Sequence, residues 1–247
     1  MIEIGPDSQL RQAPSLLLVL LVLLSATGST LAAEPALMRQ DMQALLAPRS
    51  LMWAGAGVAA GVLVHPWDQD VRFGLQERPR LRQMLDVADV YGSNRYASSS
   101  LVVTWAAARL TGHRPVAALT SDLVRSIVLA SVLVAPLKFS VGRERPDGSD
   151  NLSFPSGHSA NAFALTTALS RRLGSRLALP LYAATVAVPV SRVHRRRHYL
   201  SDVVAGSLLG IVAGRAVTGF EGDTGPMRVV LGSAAGRPLP LLYWVLP

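Results

Sequence analysis

Six apolar segments of 10 to 14 residues place the strongest constraint on how this chain can fold. Alanine, leucine and valine dominate these segments, and aromatic residues make up only 6% of the sequence, which favours closely packed helices. The segments are Leu51–Val64, Ser99–Leu110, Ile127–Leu137, Ala160–Leu169, Leu177–Val190 and Val203–Ala213. We therefore expect an all-α fold, a compact helical bundle of about six core helices.

The N-terminal segment has the pattern of an export signal. Leu16–Leu24 is an unbroken apolar run, and mostly small residues follow it as far as Ala33. A short apolar run ahead of small residues is typical of a segment that signal peptidase removes. Residues 1–33 are therefore predicted to be a signal peptide, with a retained N-terminal anchor as the alternative.

The remaining chain divides into a helical domain and a tail. Residues 34–217 are predicted to form the domain, and its motif-bearing core is 98–217. Residues 218–247 begin as a glycine-rich linker and continue as two short apolar runs around a Gly- and Pro-containing stretch. This order predicts a short C-terminal β-hairpin, which its prolines restrict to an edge or an isolated ribbon.

The lengths of the apolar runs bear on whether the helices cross a membrane. A spanning helix needs about 20 mostly apolar residues, and shorter runs more often form buried core helices. Most runs between charges here have 12 to 15 residues, as between Arg176 and Arg192. The lengths favour a periplasmic helical domain, soluble or membrane-associated. The alternative is an integral inner-membrane protein of six short spans with its site facing the periplasm.

Charge and composition narrow the classes of partner. The formal net charge is +8, which suits anionic small molecules, anionic lipids or nucleic acid. Because aromatic residues that could stack on bases are scarce and no nucleic-acid module is recognisable, we expect no nucleic-acid partner. The chain has no cysteine and no dense carboxylate or histidine cluster in its sequence, so we expect no metal site.

The candidate catalytic and binding residues lie in three short runs of the sequence. Lys138 is the only lysine of the chain, and a further basic residue follows it seven positions later, just before a proline. The runs are Lys138-x6-Arg145-Pro146, Pro155-Ser156-Gly157-His158 and Ser191-Arg192-x5-His198-x3-Asp202. Three cations, two histidines and a carboxylate are a set that can hold a phosphoryl group, attack it and protonate its leaving group.

The spacing within each run predicts local geometry. Lys138 and Arg145 are close to two helical turns apart and would share a face if one helix carried both. Ser156 is a good N-cap for a helix beginning near His158, where backbone N–H groups bind anions. A histidine and a carboxylate four residues apart would stack on one face of a helix, so Asp202 could orient the imidazole.

Each of these residues also has a purely structural interpretation. The pair His198 and Asp202 could be a structural contact, and Pro155–His158 could be an ordinary turn and helix cap. Arg143 could reach a phosphate or form an ion pair. The basic run Arg195–Arg197 could be a solvated surface or could attract an anionic headgroup.

Taken together, the three runs resemble the signature of the type 2 phosphatidic acid phosphatase superfamily. This superfamily includes bacterial acid phosphatases, lipid phosphate phosphatases and vanadium haloperoxidases. The resemblance extends over roughly Ser98 to Val217, and all three motifs are complete and in order. The eight-residue connection Asp147–Phe154 between the first two motifs is short for the family, and leaves little room for a lid.

The resemblance implies a phosphatase that forms a phosphohistidine without a metal or another cofactor, and the N-terminal segment predicts that this phosphatase is exported. It assigns His198 as nucleophile, Asp202 as its orienting group and His158 as general acid. The phosphate-binding set that it implies is Lys138, Arg145, Ser156, Gly157 and Arg192. Vanadate, which mimics the pentacoordinate phosphorus of the transition state, is expected to inhibit.

Substrate and partner classes stay open from the sequence. The expected substrate is a phosphorylated small molecule or a lipid phosphate, with membrane association compatible with either. The alternatives are a vanadate-dependent haloperoxidase, and a non-catalytic envelope protein that binds anionic lipid through its arginines.

Overall fold

The computed structural model describes residues 33–76, 85, 94–219, 227–234 and 237–244. The predicted signal peptide lies outside these residues except for Ala33, and so does most of the predicted linker. The α-helices are α1 (Ala33–Leu46), α2 (Pro48–Val64), α3 (Asp68–Gln76), α4 (Asn94–Leu110), α5 (Arg114–Val141), α6 (Gly157–Leu173), α7 (Ala178–Thr185), α8 (Ala187–His194) and α9 (Leu200–Thr218). The fold is all-α, as predicted.

Every apolar segment of the sequence lies within helical structure. Five of them fall in α2, α4, α5, α6 and α9, and the sixth, Leu177–Val190, is divided between α7 and α8. Pro189 gives a reason for this division, because it has no N–H group to bond to the carbonyl of Thr185. Helix α5 is much longer than its apolar run, since it continues through Asp122 and Arg125. These two form an ion pair within the helix and are both buried.

Helix α9 lies at the centre of the bundle, where it packs against α6, α2 and α5. Its glycines Gly206, Gly210 and Gly214 recur every four residues and therefore form one stripe. A Cβ atom on Gly206 would lie 2.3 Å from the carbonyl oxygen of Ser156, and one on Gly210 only 2.1 Å from that of Ala160. Helices α6 and α9 thus pack backbone against backbone, which larger residues would prevent.

Large apolar side chains remain exposed on the outside of the bundle. Examples are Leu63 at 72%, Phe139 at 76% and Leu179 at 80% exposure. Three stretches of the described chain are long and apolar enough to cross a membrane: Arg114–Val141, Ser175–His194 and Leu200–Thr218. A fourth would be the bent pair Pro35–Leu46 and Pro48–Val71. Exposed apolar helices of this length are typical of membrane-associated proteins.

The tail contains two strands, β1 (Met227–Ala234) and β2 (Arg237–Trp244), which pair antiparallel. Met227 lies opposite Trp244 at the open end of the ribbon. Because each strand of such a ribbon has a free edge, Pro238 and Pro240 are tolerated within β2.

We predict that Gly210→Ala destabilises the protein. The added methyl group has no space against the carbonyl oxygen of Ala160, so α6 and α9 must separate, at a cost of about 1–3 kcal/mol. The matched control is Gly55→Ala, because a Cβ at Gly55 meets nothing within 4 Å. Thermal unfolding of the purified variants should show a lower midpoint for Gly210→Ala alone. Equal midpoints would contradict the packing argument.

Candidate active site

The three sequence motifs meet at one end of the bundle, where α5 ends and both α6 and α9 begin. The backbone N–H of Ser156 donates to the carbonyl oxygen of Asp202 at 2.9 Å, which joins the second motif to the third. A Cβ on Gly157 would lie 3.8 Å from Cε of Lys138, so the first motif reaches the same place. The fold therefore brings the predicted site residues together.

Arg145 reaches the site from a loop and does not share a helix face with Lys138. Helix α5 ends at Val141 because Gly142 adopts a left-handed conformation, with φ of 58°. The Arg145 Nε donates to Oδ1 of Asp150 at 2.6 Å, and its Nη1 donates to the carbonyl of Arg197 at 3.3 Å. The prediction of a shared face required one helix to carry both residues, and the helix ends before Arg145. The ion pair with Asp150 in the loop positions Arg145 instead.

The start of α6 has the capped geometry that the sequence predicts for an anion-binding element. Ser156 is the N-cap, and its Oγ accepts a hydrogen bond from the backbone N–H of Ser159 at 3.4 Å. Gly157 and His158 occupy the first two helical positions, whose N–H groups have no acceptor within a helix. These two N–H groups are available to an oxyanion at the end of the helix.

His198 lies in the connection between α8 and α9, just before α9 begins at Leu200. The prediction that His198 and Asp202 stack on one helix face is therefore wrong. The ring is only 1% exposed, and its Nδ1 lies 2.8 Å from the backbone carbonyl of Ser153 and 3.7 Å from Oδ2 of Asp202. Because a carbonyl can only accept, Nδ1 carries the proton and Nε2 of the neutral ring keeps its lone pair.

The electrostatic surroundings favour the neutral form of both histidines. Burial lowers the pKa of His198 to about 4, and the nearby charges of Lys138 and Arg145 act in the same direction, against the opposing effect of Asp202. Burial also places the pKa of His158 well below its usual value, with a further contribution first from Arg192. At neutral pH His198 therefore has a lone pair ready to attack an electrophile.

Asp202 is fully buried and accepts hydrogen bonds from residues that lie next to His198. Its Oδ2 accepts from the hydroxyl of Ser153 at 2.5 Å and from the backbone N–H of Tyr199 at 2.8 Å, while its Oδ1 accepts from Arg143 at 2.8 Å. The backbone carbonyl of Ser153 also accepts a hydrogen bond from Nδ1–H of His198. Asp202 therefore orients the imidazole largely through Ser153. Sequence reasoning missed Ser153, because nothing in its spacing distinguishes it from an ordinary loop serine.

The side chains of Lys138, Arg192 and Arg143 differ in their hydrogen-bond partners and burial. Lys138 Nζ donates to the carbonyl of Leu152 at 2.6 Å. Arg192 is 8% exposed, and its own carbonyl accepts from the backbone N–H of Arg197 at 3.0 Å and of His198 at 3.3 Å. Arg192 thus also fixes the turn that carries His198. Of the two roles considered for Arg143, the structure shows the ion-paired one.

The basic run Arg195–Arg197 forms the exposed rim of this end of the molecule. Arg196 adopts a left-handed conformation, with φ of 58°. The Arg197 Nη1 pairs with Oδ2 of Asp147 at 3.1 Å and also donates to the hydroxyl of Ser149 at 3.3 Å. These two contacts of Arg197 connect the turn after α8 to the short loop between the first two motifs.

Comparison with known proteins finds a family match over the part of the chain that carries the motifs. The family model described as PAP2 superfamily matches residues 119–225, which include all three motifs. This part of the chain is similar to the PAP2 superfamily. The match begins in α5, so α1 to α4 lie outside it.

One curated relative and two solved structures are informative. A lipid A 1-phosphatase from Porphyromonas gingivalis is 41% identical over 101 residues, which are 39% of this chain and 22% of that protein. The aligned stretch thus spans about a fifth of that relative's length.

Two solved structures share the fold of this chain. Aquifex aeolicus LpxE is 22% identical with a TM-score of 0.51, over 62% of this chain and 95% of its own. A transmembrane PAP2-type phosphatidylglycerolphosphate phosphatase from Bacillus subtilis is 21% identical with a TM-score of 0.57, over 68% and 94%.

Proposed function

We propose that this protein is a phosphatase that hydrolyses a lipid phosphate ester through a phosphohistidine intermediate. One observation carries the proposal. A buried, neutral His198 with its Nδ1 held by a carbonyl stands at the end of the bundle where Lys138 and the free N–H groups of α6 converge. This combines a nucleophile with a site for the anion that it attacks.

The first step forms a bond between Nε2 of His198 and phosphorus, while the bond from phosphorus to the ester oxygen breaks. The phosphoryl oxygens are held by Lys138, Arg145 and Arg192 together with the N–H groups of Gly157 and His158. Phosphoryl transfer depends mainly on positioning and on stabilisation of the oxygens' charge. In this scheme the cationic side chains supply that stabilisation, and no metal ion is required.

His158 supplies the proton to the leaving alkoxide. The pKa of His158 is low, because burial and, after it, the neighbouring cations oppose protonation. A phosphate dianion bound among these cations offsets their charge and raises the pKa of His158. The bound substrate thereby favours the protonated form that a general acid needs. In the second step His158 takes a proton from water, which attacks phosphorus and releases phosphate and free His198.

Two observations support a lipid substrate: the exposed apolar surface of the molecule and the names of the similar proteins. Apolar side chains are exposed on α2, α5 and α7, and three described stretches have the length and composition of membrane spans. The curated relative is named a lipid A 1-phosphatase, and the Bacillus subtilis structure is that of a phospholipid phosphatase of transmembrane type. We infer that the substrate phosphate is presented at a membrane surface and not by a freely soluble ester.

We further propose that the protein resides in the inner membrane with its active site on the periplasmic side. The apolar run Leu16–Leu24 and the small residues after it support export of the chain. The expected result is that alkaline carbonate leaves the protein in the membrane pellet and that detergent extracts it. Release by osmotic shock alone would contradict the membrane part of this proposal.

We predict that His198→Asn abolishes covalent labelling by a lipid phosphate carrying ³²P. Asparagine keeps a polar side chain of similar size but has no basic nitrogen to attack phosphorus. The parent, quenched in alkali to preserve phosphohistidine, should retain label, and its turnover of the lipid should exceed that of a soluble aryl phosphate.

The matched control is His113→Asn, because His113 is exposed and its ring forms a local hydrogen bond to Thr111. This variant should label and turn over like the parent. Unchanged labelling in His198→Asn would contradict the assignment of the nucleophile. Peroxide-dependent bromination with added vanadate, in place of hydrolysis, would contradict the phosphatase function itself.

We predict that His198 titrates near pH 4 in the ligand-free protein, below the ordinary value of about 6.5. The unfolded chain takes up a proton at His198 near pH 6.5, and the folded protein does so only near pH 4. This histidine therefore lowers the stability progressively as the pH falls through that interval. NMR of ¹³C-labelled histidine, with the His198 signal assigned by its absence in His198→Asn, measures the midpoint. A midpoint of 6 or above would contradict the prediction.

A further inference from the structure

A buried carboxylate outside the three motifs, Asp68, is bonded directly to the catalytic end of the bundle. It is the first residue of α3 and is 2% exposed. Its Oδ1 accepts from the backbone N–H of Ser201 at 2.8 Å, and its Oδ2 accepts from the Ser201 hydroxyl at 2.7 Å and from Nη2 of Arg143 at 2.8 Å. Asp68 precedes the region that the family model matches.

Arg143 connects Asp68 to Asp202. Its Nη2 bonds to Asp68, and its Nη1 bonds to Oδ1 of Asp202 at 2.8 Å and to the hydroxyl of Ser201 at 2.6 Å. The guanidinium carbon also lies 4.0 Å from the ring centroid of Tyr199. Because the guanidinium is a planar and rigid fork, fixing one of its nitrogens fixes the direction of the other.

The same chain of bonds ends at the nucleophile. Asp202, placed by Arg143, accepts from the hydroxyl of Ser153, and the carbonyl of Ser153 accepts from Nδ1 of His198. We propose that Asp68 is a positioning residue that holds Arg143 on Asp202 and thereby sets the direction of the His198 ring, an inference that rests on the proposed function.

The charges explain why a carboxylate is needed at this place. Arg143 lies between two buried carboxylates and balances part of their charge. Without the charge of Asp68, the remaining contacts of Arg143 are made by Nη1 and by the ring face of Tyr199, and Nη2 loses its anionic partner. The guanidinium can then shift, so Asp202 loses its fixed direction. The bonding partners of Asp68 are Arg143 and Ser201, and neither holds the phosphoryl group. Loss of Asp68 should therefore affect turnover more than substrate binding.

The test is Asp68→Asn, which keeps an oxygen for Ser201 and removes the charge that holds Arg143. We expect kcat to fall by about tenfold or more, with KM within about twofold of the parent, because a small misplacement of a reacting group is costly. The matched control is Asp41→Asn, since Asp41 is 5% exposed and paired with Arg125 at 2.9 Å, away from the motifs. It should lower the thermal midpoint and leave kcat unchanged.

A double-mutant cycle with Asp202→Asn separates positioning from general destabilisation. If Asp68 acts through Asp202, adding Asp68→Asn to Asp202→Asn should change kcat by less than about twofold. Independent, multiplying losses of kcat would overturn the inference, and so would a kcat of Asp68→Asn equal to that of Asp41→Asn.

Ser201→Ala provides a second test if Asp68→Asn cannot be purified in folded form. It removes the hydroxyl shared by Asp68 and Arg143 but keeps both charges, so a smaller loss of kcat, about threefold, is expected with KM unchanged. An unchanged kcat would overturn the inference. A parent protein that hydrolyses no phosphate ester would contradict the proposed function and the role of Asp68 with it, whereas an active parent with insensitive variants contradicts the role of Asp68 alone.

Discussion

The close contact between α6 and α9 is the constraint on which the rest of the structure depends. Gly206 and Gly210 let the backbone of α9 approach the carbonyl oxygens of Ser156 and Ala160 to distances that no side chain could allow. The two helices begin at the same end of the bundle, where Ser156 bonds to the backbone of Asp202. The distance between the start of α6 and the segment that carries His198, the proposed nucleophile, is therefore set by backbone packing, because interiors are close-packed.

The arrangement of the site also depends on the burial of Asp202. Burying an ionised carboxylate costs free energy unless both of its oxygens accept hydrogen bonds. An ionised carboxylate out of water needs donors for both of its oxygens. Here Arg143, Ser153 and the N–H of Tyr199 provide them, and each comes from a segment that must be in place for the site to exist. The carboxylate thus couples the loop after α5 to the start of α9. It also ensures that the site forms only when the bundle has folded.

Local features of the fold and site could be predicted from the sequence, and long-range ones could not. The helical segments, the N-cap at Ser156 and the pair of Asp122 with Arg125 all depend on residues close in the chain. The position of His198 ahead of α9 was missed, because an i, i+4 spacing predicts a shared face only if both residues are helical. Asp68 could not be found, since 133 positions separate it from Ser201 and no pattern links them.

The combination of cations with uncharged histidines resolves a conflict that the chemistry poses. In the proposed mechanism the imidazole of His198 must be neutral to act as the nucleophile, whereas His158 must carry a proton to act as the general acid, and both rings are buried. Burial and, after it, the neighbouring cations favour the neutral form of both rings. In the proposed mechanism a bound phosphate dianion offsets the charge of these cations and so favours protonation of His158. The Nδ1–H of His198 donates to the carbonyl of Ser153, which keeps the lone pair on Nε2 of the neutral ring for attack on phosphorus.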